Sequence, residues 1–226
     1  MSEGVTGKNK SRKRENIQDR FSLRWQAEKY RDRFLVGRRR NTHAREASAL
    51  ERVFEPLGRV DSIMDVACGP GRFASVLAAH CRWLLQTDYS VHMLHLSRED
   101  HPMQNGAASY FQADAHGLPL HDRSVDLVFC HRFLNHVADP AARLKVMKEL
   151  ARVSRQYVVV SCLGLPSVLR VIRASLKNLF GRKGGEVSVE VREFLKSAEE
   201  TGLVLQRQVR IRKYIESGNF LVLTKK

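Results

Sequence analysis

Along this chain, short unbroken apolar runs alternate with segments whose apolar residues recur at helical spacing. The runs predict strands at 62–68, 82–88, 108–113, 125–130 and 157–163, and the intervening segments predict helices at 71–80, 90–98 and 139–153. Ser62-Ile-Met-Asp-Val-Ala-Cys68 is apolar on both alternating faces, as in a parallel strand covered on both sides. Helical spacing resumes at Phe73, Val76 and Leu77, whereas Gly117 and Pro119 argue for a loop across 114–124. Upstream, residues 21–57 read as helices, most clearly 44–54, where Ala47, Leu50, Val53 and Phe54 share a face. Downstream, 188–202 reads as a helix and 203–212 and 220–224 as strands. Repeated strand–helix units imply an α/β fold: a doubly wound, mostly parallel sheet with right-handed crossovers.

Asp65 breaks the apolar pattern of the first strand, and a carboxylate in that setting needs a partner. The strand runs into Gly69-Pro-Gly71, where glycines let the backbone turn tightly and lie close to a ligand. Gly69-Pro-Gly71-Arg-Phe-Ala74 also fits the G-x-G-x-x-G/A dinucleotide fingerprint, so the glycines do not choose between an NAD-type cofactor and another nucleotide. The next strand ends at Asp88, a usual place for a carboxylate that binds ribose hydroxyls, and both nucleotide classes want that. A third strand leads to Asp114, suited to an adenine amine. Any one of these acids has a competing use as a helix cap or turn former. Three at successive strand ends fall where open parallel sheets bind ligands. Asp126 opens its strand at the opposite edge of the sheet and reads as structural.

The set Asp65, Gly69, Gly71, Asp88 and Asp114 resembles the class I S-adenosylmethionine-dependent methyltransferases, whose first motif is commonly D-x-G-C-G-x-G. The chain matches as Asp65-Val-Ala67-Cys68-Gly69-Pro70-Gly71 and departs only at Ala67, a small-for-small change. The likeness extends over about 60–163 and is nearest to the small-molecule branch that holds the ubiquinone and menaquinone C-methyltransferases. It implies a Rossmann-like methyltransferase fold with an antiparallel last strand, and S-adenosyl-L-methionine as cofactor. By the same resemblance Asp65 would bind the methionine ammonium, Gly69 and Gly71 would make room, Asp88 would bind the ribose, and Asp114 with the Ala115 amide would bind adenine. The acceptor would be a small molecule, apolar or anionic.

His131 and His136 follow the fourth strand, on the side where the methyl group should point, and a neutral imidazole can take a proton from an acceptor. The competing reading is that they pack or cap the segment that follows. Cys130-His-Arg-Phe in this position is not the N/D-P-P-Y/F/W signature of enzymes that methylate exocyclic base amines or glutamine amides. There is also no Pro-Cys pair of the kind that attacks cytosine.

The length of 226 residues suits one domain. Cys68, Cys81, Cys130 and Cys162 form no C-x-x-C pair, which points to reduced thiols in a cytoplasmic protein and to no metal. The first residues lack the apolar core of a signal peptide. The net charge of +15 divides as +8 over residues 1–60, −3 over 61–144 and +10 over 145–226, so the flanks, not the cofactor core, are basic. Residues 1–20 are expected to be a disordered basic tail, either solubilising or docking. Over 164–187, Leu165, Leu169, Ile172, Leu176 and Leu179 form one stripe beside Arg170, Arg173 and Lys177, so a helix there would be basic and amphipathic. It reads as a lid over the acceptor or as an ordinary surface helix. The basic flanks admit peripheral contact with an anionic membrane or RNA. They keep open an RNA methyltransferase, or a non-catalytic nucleotide- or RNA-binding module on the same fold.

Overall fold

A computed structural model describes residues 21–102, 108–162, 191–211 and 218–226. The proposed tail at 1–20 and lid at 164–187 lie outside the described residues. Among the described residues seven strands form one sheet: β1 (Val60–Val66), β2 (Cys81–Asp88), β3 (Ala108–Gln112), β4 (Val125–Cys130), β5 (Ser154–Cys162), β6 (Leu203–Arg210) and β7 (Asn219–Lys225). Their order is β3-β2-β1-β4-β5-β7-β6. The pairs from β3 to β5 are parallel, and β7 runs antiparallel to both β5 and β6.

The period of two along each strand sorts the core onto two faces. Met64, Val66, Val128, Cys130, Val158 and Val160 pack on one face with α5 (Pro140–Val153) and α6 (Val191–Glu199). Ile63, Leu127, Phe129 and Val159 pack on the other with α2 (Gly37–Phe54) and α3 (Ala74–Ala79). Asp65 shares the parity of Ile63, and its register partners are Gln86 and Phe129. Helix α1 (Arg24–Asp32) lies on α4 (Val91–Asp100), with Ala27, Met93 and Leu96 closing a small third core.

Local chemistry sets the ends of these elements. Asp139 caps α5 by accepting from Ala141 N and Ala142 N, and Pro140 occupies the first turn, where no amide donor is needed. Ser90 caps α4 by accepting from Met93 N. The turn after β1 takes Gly69 and Gly71 through positive φ and delays α3 to Ala74, three residues later than the spacing predicts. Helix α2 starts at Gly37, inside the helical stretch 21–57 and ahead of its clearest part at 44–54, because a polar first turn with Arg38, Arg39 and Arg40 carries no apolar period. β5 opens early at Ser154, whose hydroxyl donates to Tyr157 O. On the outer strand β6, the register slips between Leu205 and Arg207, and Leu205 to Gln208 are exposed. Asp126 is indeed tied down at the far end of the sheet: it accepts from Ser62 N and Ser62 Oγ at 2.9 Å and pairs with Arg155 at 3.1 Å. Among the described residues, no helix is long and apolar enough to cross a membrane, and no cluster of three metal-ligating side chains occurs.

Candidate cofactor and active site

The strand order reverses between β1 and β4, and a cavity of about 430 Å³ opens beyond the carboxyl ends of the strands there. This is the crevice where doubly wound sheets hold ligands, and its size suits a small-molecule site of ~300–1,000 Å³. Gly69, Asp88, Asp114, Ala115, His131 and His136 all line it. Asp65 does not face the main cavity. It lines an adjoining recess of about 40 Å³ whose walls share Tyr30, Ala67, Gly69, His131 and Arg132 with the cavity.

Asp88, the last residue of β2, is fixed by two backbone amides: Gly69 N donates to Oδ2 and Ser90 N to Oδ1, each at 2.9 Å. These bonds draw the glycine turn onto the β2 carboxylate. Burial raises the Asp88 pKa, and the two amides hold it back in part. Asp65 is 2% exposed. Burial, then the charge of Asp88, pushes its pKa up to about 8, with the Gln86 amide acting the other way. The first two strand ends therefore carry two buried acids that favour a cationic visitor. Asp114 is more open. Burial disfavours its ionised form, but the His116 amide and ring, at 2.9 and 2.7 Å, bring its pKa below the usual carboxylate range.

The two glycines do different work. Gly69 sits at φ +58 with nothing within 4 Å of where a Cβ would stand, so its bare backbone leaves the cavity open. Gly71 does not line the cavity. At φ +71 its Cβ would lie 2.1 Å from Ser97 Oγ, so this glycine lets the turn press against α4. Ala67, where the resembling motif has glycine, has φ 58, a left-handed conformation that L side chains adopt at a cost.

Both histidines stand on the cavity wall, in unlike surroundings. The His131 side chain is 8% exposed and meets Phe73 edge-on at a centroid distance of 4.7 Å, with Phe129 and Phe220 close by. Burial lowers its pKa to about 4 despite the opposing pull of Glu46, so it is neutral and weakly basic near pH 7. His136 is half-buried at the end of the short 3₁₀ turn Phe133–Asn135.

A charge cluster beside the recess escaped sequence reasoning. Glu46, on α2 and 2% exposed, lies 2.7 Å from Arg72 Nη2, accepts from Arg132 Nε at 3.1 Å, and approaches His131 Nε2 to 3.5 Å. Although burial favours the neutral acid, His131, Arg132 and Arg72 together depress its pKa far below the carboxylate range. Arg132 adopts φ 61 and donates its amide to Ser161 Oγ at 2.6 Å. From the other side, Phe21 and Tyr30 reach the cavity from the N-terminal segment, their rings edge-to-face at 5.1 Å. Helical periodicity marked α2 by its apolar residues, and nothing local flags a glutamate whose partners come from distant loops.

Residues 64–160 match the model of a family described as methyltransferase domain. The chain is 33% identical over 123 residues to malonyl-[acyl-carrier protein] O-methyltransferase of Marinomonas sp. (strain MWYL1), a match covering 53% of this chain and 44% of that protein. It is 34% identical over 84 residues to phosphoethanolamine N-methyltransferase 1 of Caenorhabditis elegans, covering 37% of this chain and 18% of that one. The chain therefore spans less than half the length of either relative. In fold, it is similar to magnesium protoporphyrin IX methyltransferase from Synechocystis PCC 6803 with bound S-adenosylhomocysteine. That likeness has a TM-score of 0.75 at 15% identity and covers 93% of this chain and 98% of the other. The family match begins inside β1 and runs into β5, so it takes in every strand end that opens on the cavity, and over that stretch the chain is similar to the methyltransferase domain.

Proposed function

We propose that this protein transfers a methyl group from S-adenosylmethionine to a small-molecule acceptor. The observation that carries the reading is the placement of Asp65, Asp88 and Asp114 at the ends of β1, β2 and β3, around one cavity and its recess. The donor set suits the cofactor group by group. Asp65, buried in the recess that adjoins the cavity, fits the methionine ammonium near the sulfonium. Asp88 fits the ribose diol, and the ionised Asp114 with the Ala115 amide fits adenine. Gly69 leaves space for close approach of the ligand to the backbone.

The bound cofactor supplies an electrophilic methyl group on a sulfonium, and the displacement is in-line. What remains for the chain is to hold the acceptor in line and to exclude water. Phe21, Tyr30, Phe133 and Val137 supply an apolar acceptor wall. His131 forms part of the wall, and burial, which lowers its pKa, makes it a weaker proton acceptor than a free imidazole. Where an acceptor must lose a proton, His136, half-buried on the cavity wall, is an imidazole placed to receive it.

The test pairs binding with turnover. Calorimetry should show binding of S-adenosylmethionine and S-adenosylhomocysteine and none of NADH. Incubation with methyl-labelled cofactor and fractionated extract should then label a low-molecular-mass fraction. Tight NADH binding would overturn the cofactor assignment, label in RNA would overturn the acceptor class, and cofactor binding with no labelled fraction would favour a non-catalytic module.

A further inference from the structure

Between α1 and α2 the chain makes a tight turn, with Phe34 N donating to Arg31 O and Leu35 N to Asp32 O. Phe34 points inward, 8% exposed, under the Arg72 guanidinium at 3.6 Å and against Tyr30 at 5.3 Å. The next two residues do the opposite: Leu35 is 62% exposed and Val36 70%. Nothing in the packing of the described residues uses these two side chains. They are followed at once by Arg38, Arg39 and Arg40, all exposed, in a first helical turn that contains no acid. From Arg33 to Arg45 the sequence holds five arginines and no Asp or Glu. A helix start disfavours cations, so local stability does not account for this run.

We propose that the α1–α2 turn is a docking tip for an anionic membrane surface, with Leu35 and Val36 entering the interfacial layer and Arg38, Arg39 and Arg40 meeting lipid headgroups. Apolar area inserted beside a basic cluster is the chemistry of peripheral lipid binding. Charge argues against the other occupants. A second copy of this chain carries the same +15, and residues 1–20 are themselves basic. Nucleic acid accounts for the arginines but not for two aliphatic side chains held out of the fold. The tip also adjoins the site, because Phe34 meets Tyr30 edge-to-face, and Tyr30 lines the cavity. Docking would set the cavity near the interface, where an apolar acceptor is delivered. The docking itself does not depend on the proposed methyl transfer.

The full chain is floated with vesicles of phosphatidylcholine plus phosphatidylserine, with phosphatidylcholine vesicles as control, across a range of salt. The parent should float with the anionic vesicles and less so as salt rises. Leu35→Ser with Val36→Ser should weaken that binding by about tenfold or more, and so should Arg38, Arg39 and Arg40→Gln. Both variants should keep the parent's thermal midpoint and S-adenosylhomocysteine affinity. Failure of the parent to float would overturn the proposal, as would a serine variant that floats like the parent. Gel-shift binding of RNA that the serine variant retains, without vesicle binding by the parent, would reassign the arginines to nucleic acid. Because cofactor affinity is read on the same preparations, a failure of the methyltransferase reading is seen separately.

Discussion

Asp65 and Asp88 end neighbouring parallel strands, and the charge of Asp88 adds to burial in lifting the Asp65 carboxyl to about 8. The unfolded chain releases this proton near the ordinary carboxylate value of 3.8, whereas the folded chain holds it to about pH 8. Between those values the folded state binds more protons, so stability contributed at acid pH declines as pH rises through that window, by at most about 1.4 kcal/mol per unit. Asp65→Asn should flatten this slope in thermal melts. A cationic ligand beside Asp65 favours the carboxylate, so cofactor binding at pH 7 should release a proton. Calorimetry in two buffers of unlike ionisation enthalpy reads that release, and the Asn variant should abolish it.

Asp88 holds two backbone amides as well as its proposed ribose contact. Asp88→Ala should weaken S-adenosylhomocysteine binding tenfold or more, since charge-assisted bonds contribute roughly 1.5–3 kcal/mol each. It should also lower the denaturation midpoint, because Gly69 N and Ser90 N lose their acceptor. Unchanged affinity in the variant would remove Asp88 from the cofactor site.

Ala67 occupies a left-handed conformation at φ 58. Ala67→Gly should stabilise the protein by about 0.5–1 kcal/mol in chemical denaturation, relief of the Cβ clash exceeding the added chain entropy of glycine. Loss of stability would mean that the alanine methyl makes a packing contact worth more than the strain.

His131 is neutral across the working pH range if its pKa is about 4. His131→Gln should therefore leave the shape of the pH–rate profile unchanged from about pH 6 to 9, whatever it does to the absolute rate through packing. Loss of an acid limb in the variant would restore His131 as the base.

Glu46 neutralises two guanidinium groups of low exposure. Glu46→Gln should cost about 3–5 kcal/mol, the usual penalty for stranding a buried charge. Its depressed pKa has the opposite sign from that of Asp65: the stability it supplies is present above its ordinary value of 4.5 and is lost as pH falls below that. Acid melts of the parent and variant should converge at low pH.

The strand ends and their acids were legible because both signals are local. An apolar run followed by a glycine turn marks β1, and a carboxylate closing an apolar run marks β2. The glycines were only half legible. Spacing shows that the turn needs them, but the neighbour that demands Gly71 is Ser97, on another helix. The Glu46 cluster was illegible for the same reason, since Arg72 and Arg132 reach α2 from separate loops. His131 had the right position, and only its aromatic surroundings, drawn from three elements, show how far its basicity is suppressed.

The slipped register on β6 bears on crowding, not on chemistry. A sheet with an open flank invites a neighbouring molecule to continue its ladder, and a flat, greasy margin makes that easy. Here the irregularity at Leu205/Arg207 bends the margin, and Gln206, Arg207 and Gln208 keep it wet and charged. The outermost strand on this side is thus a poor template for intermolecular growth, which guards the protein against fibrous association at high concentration.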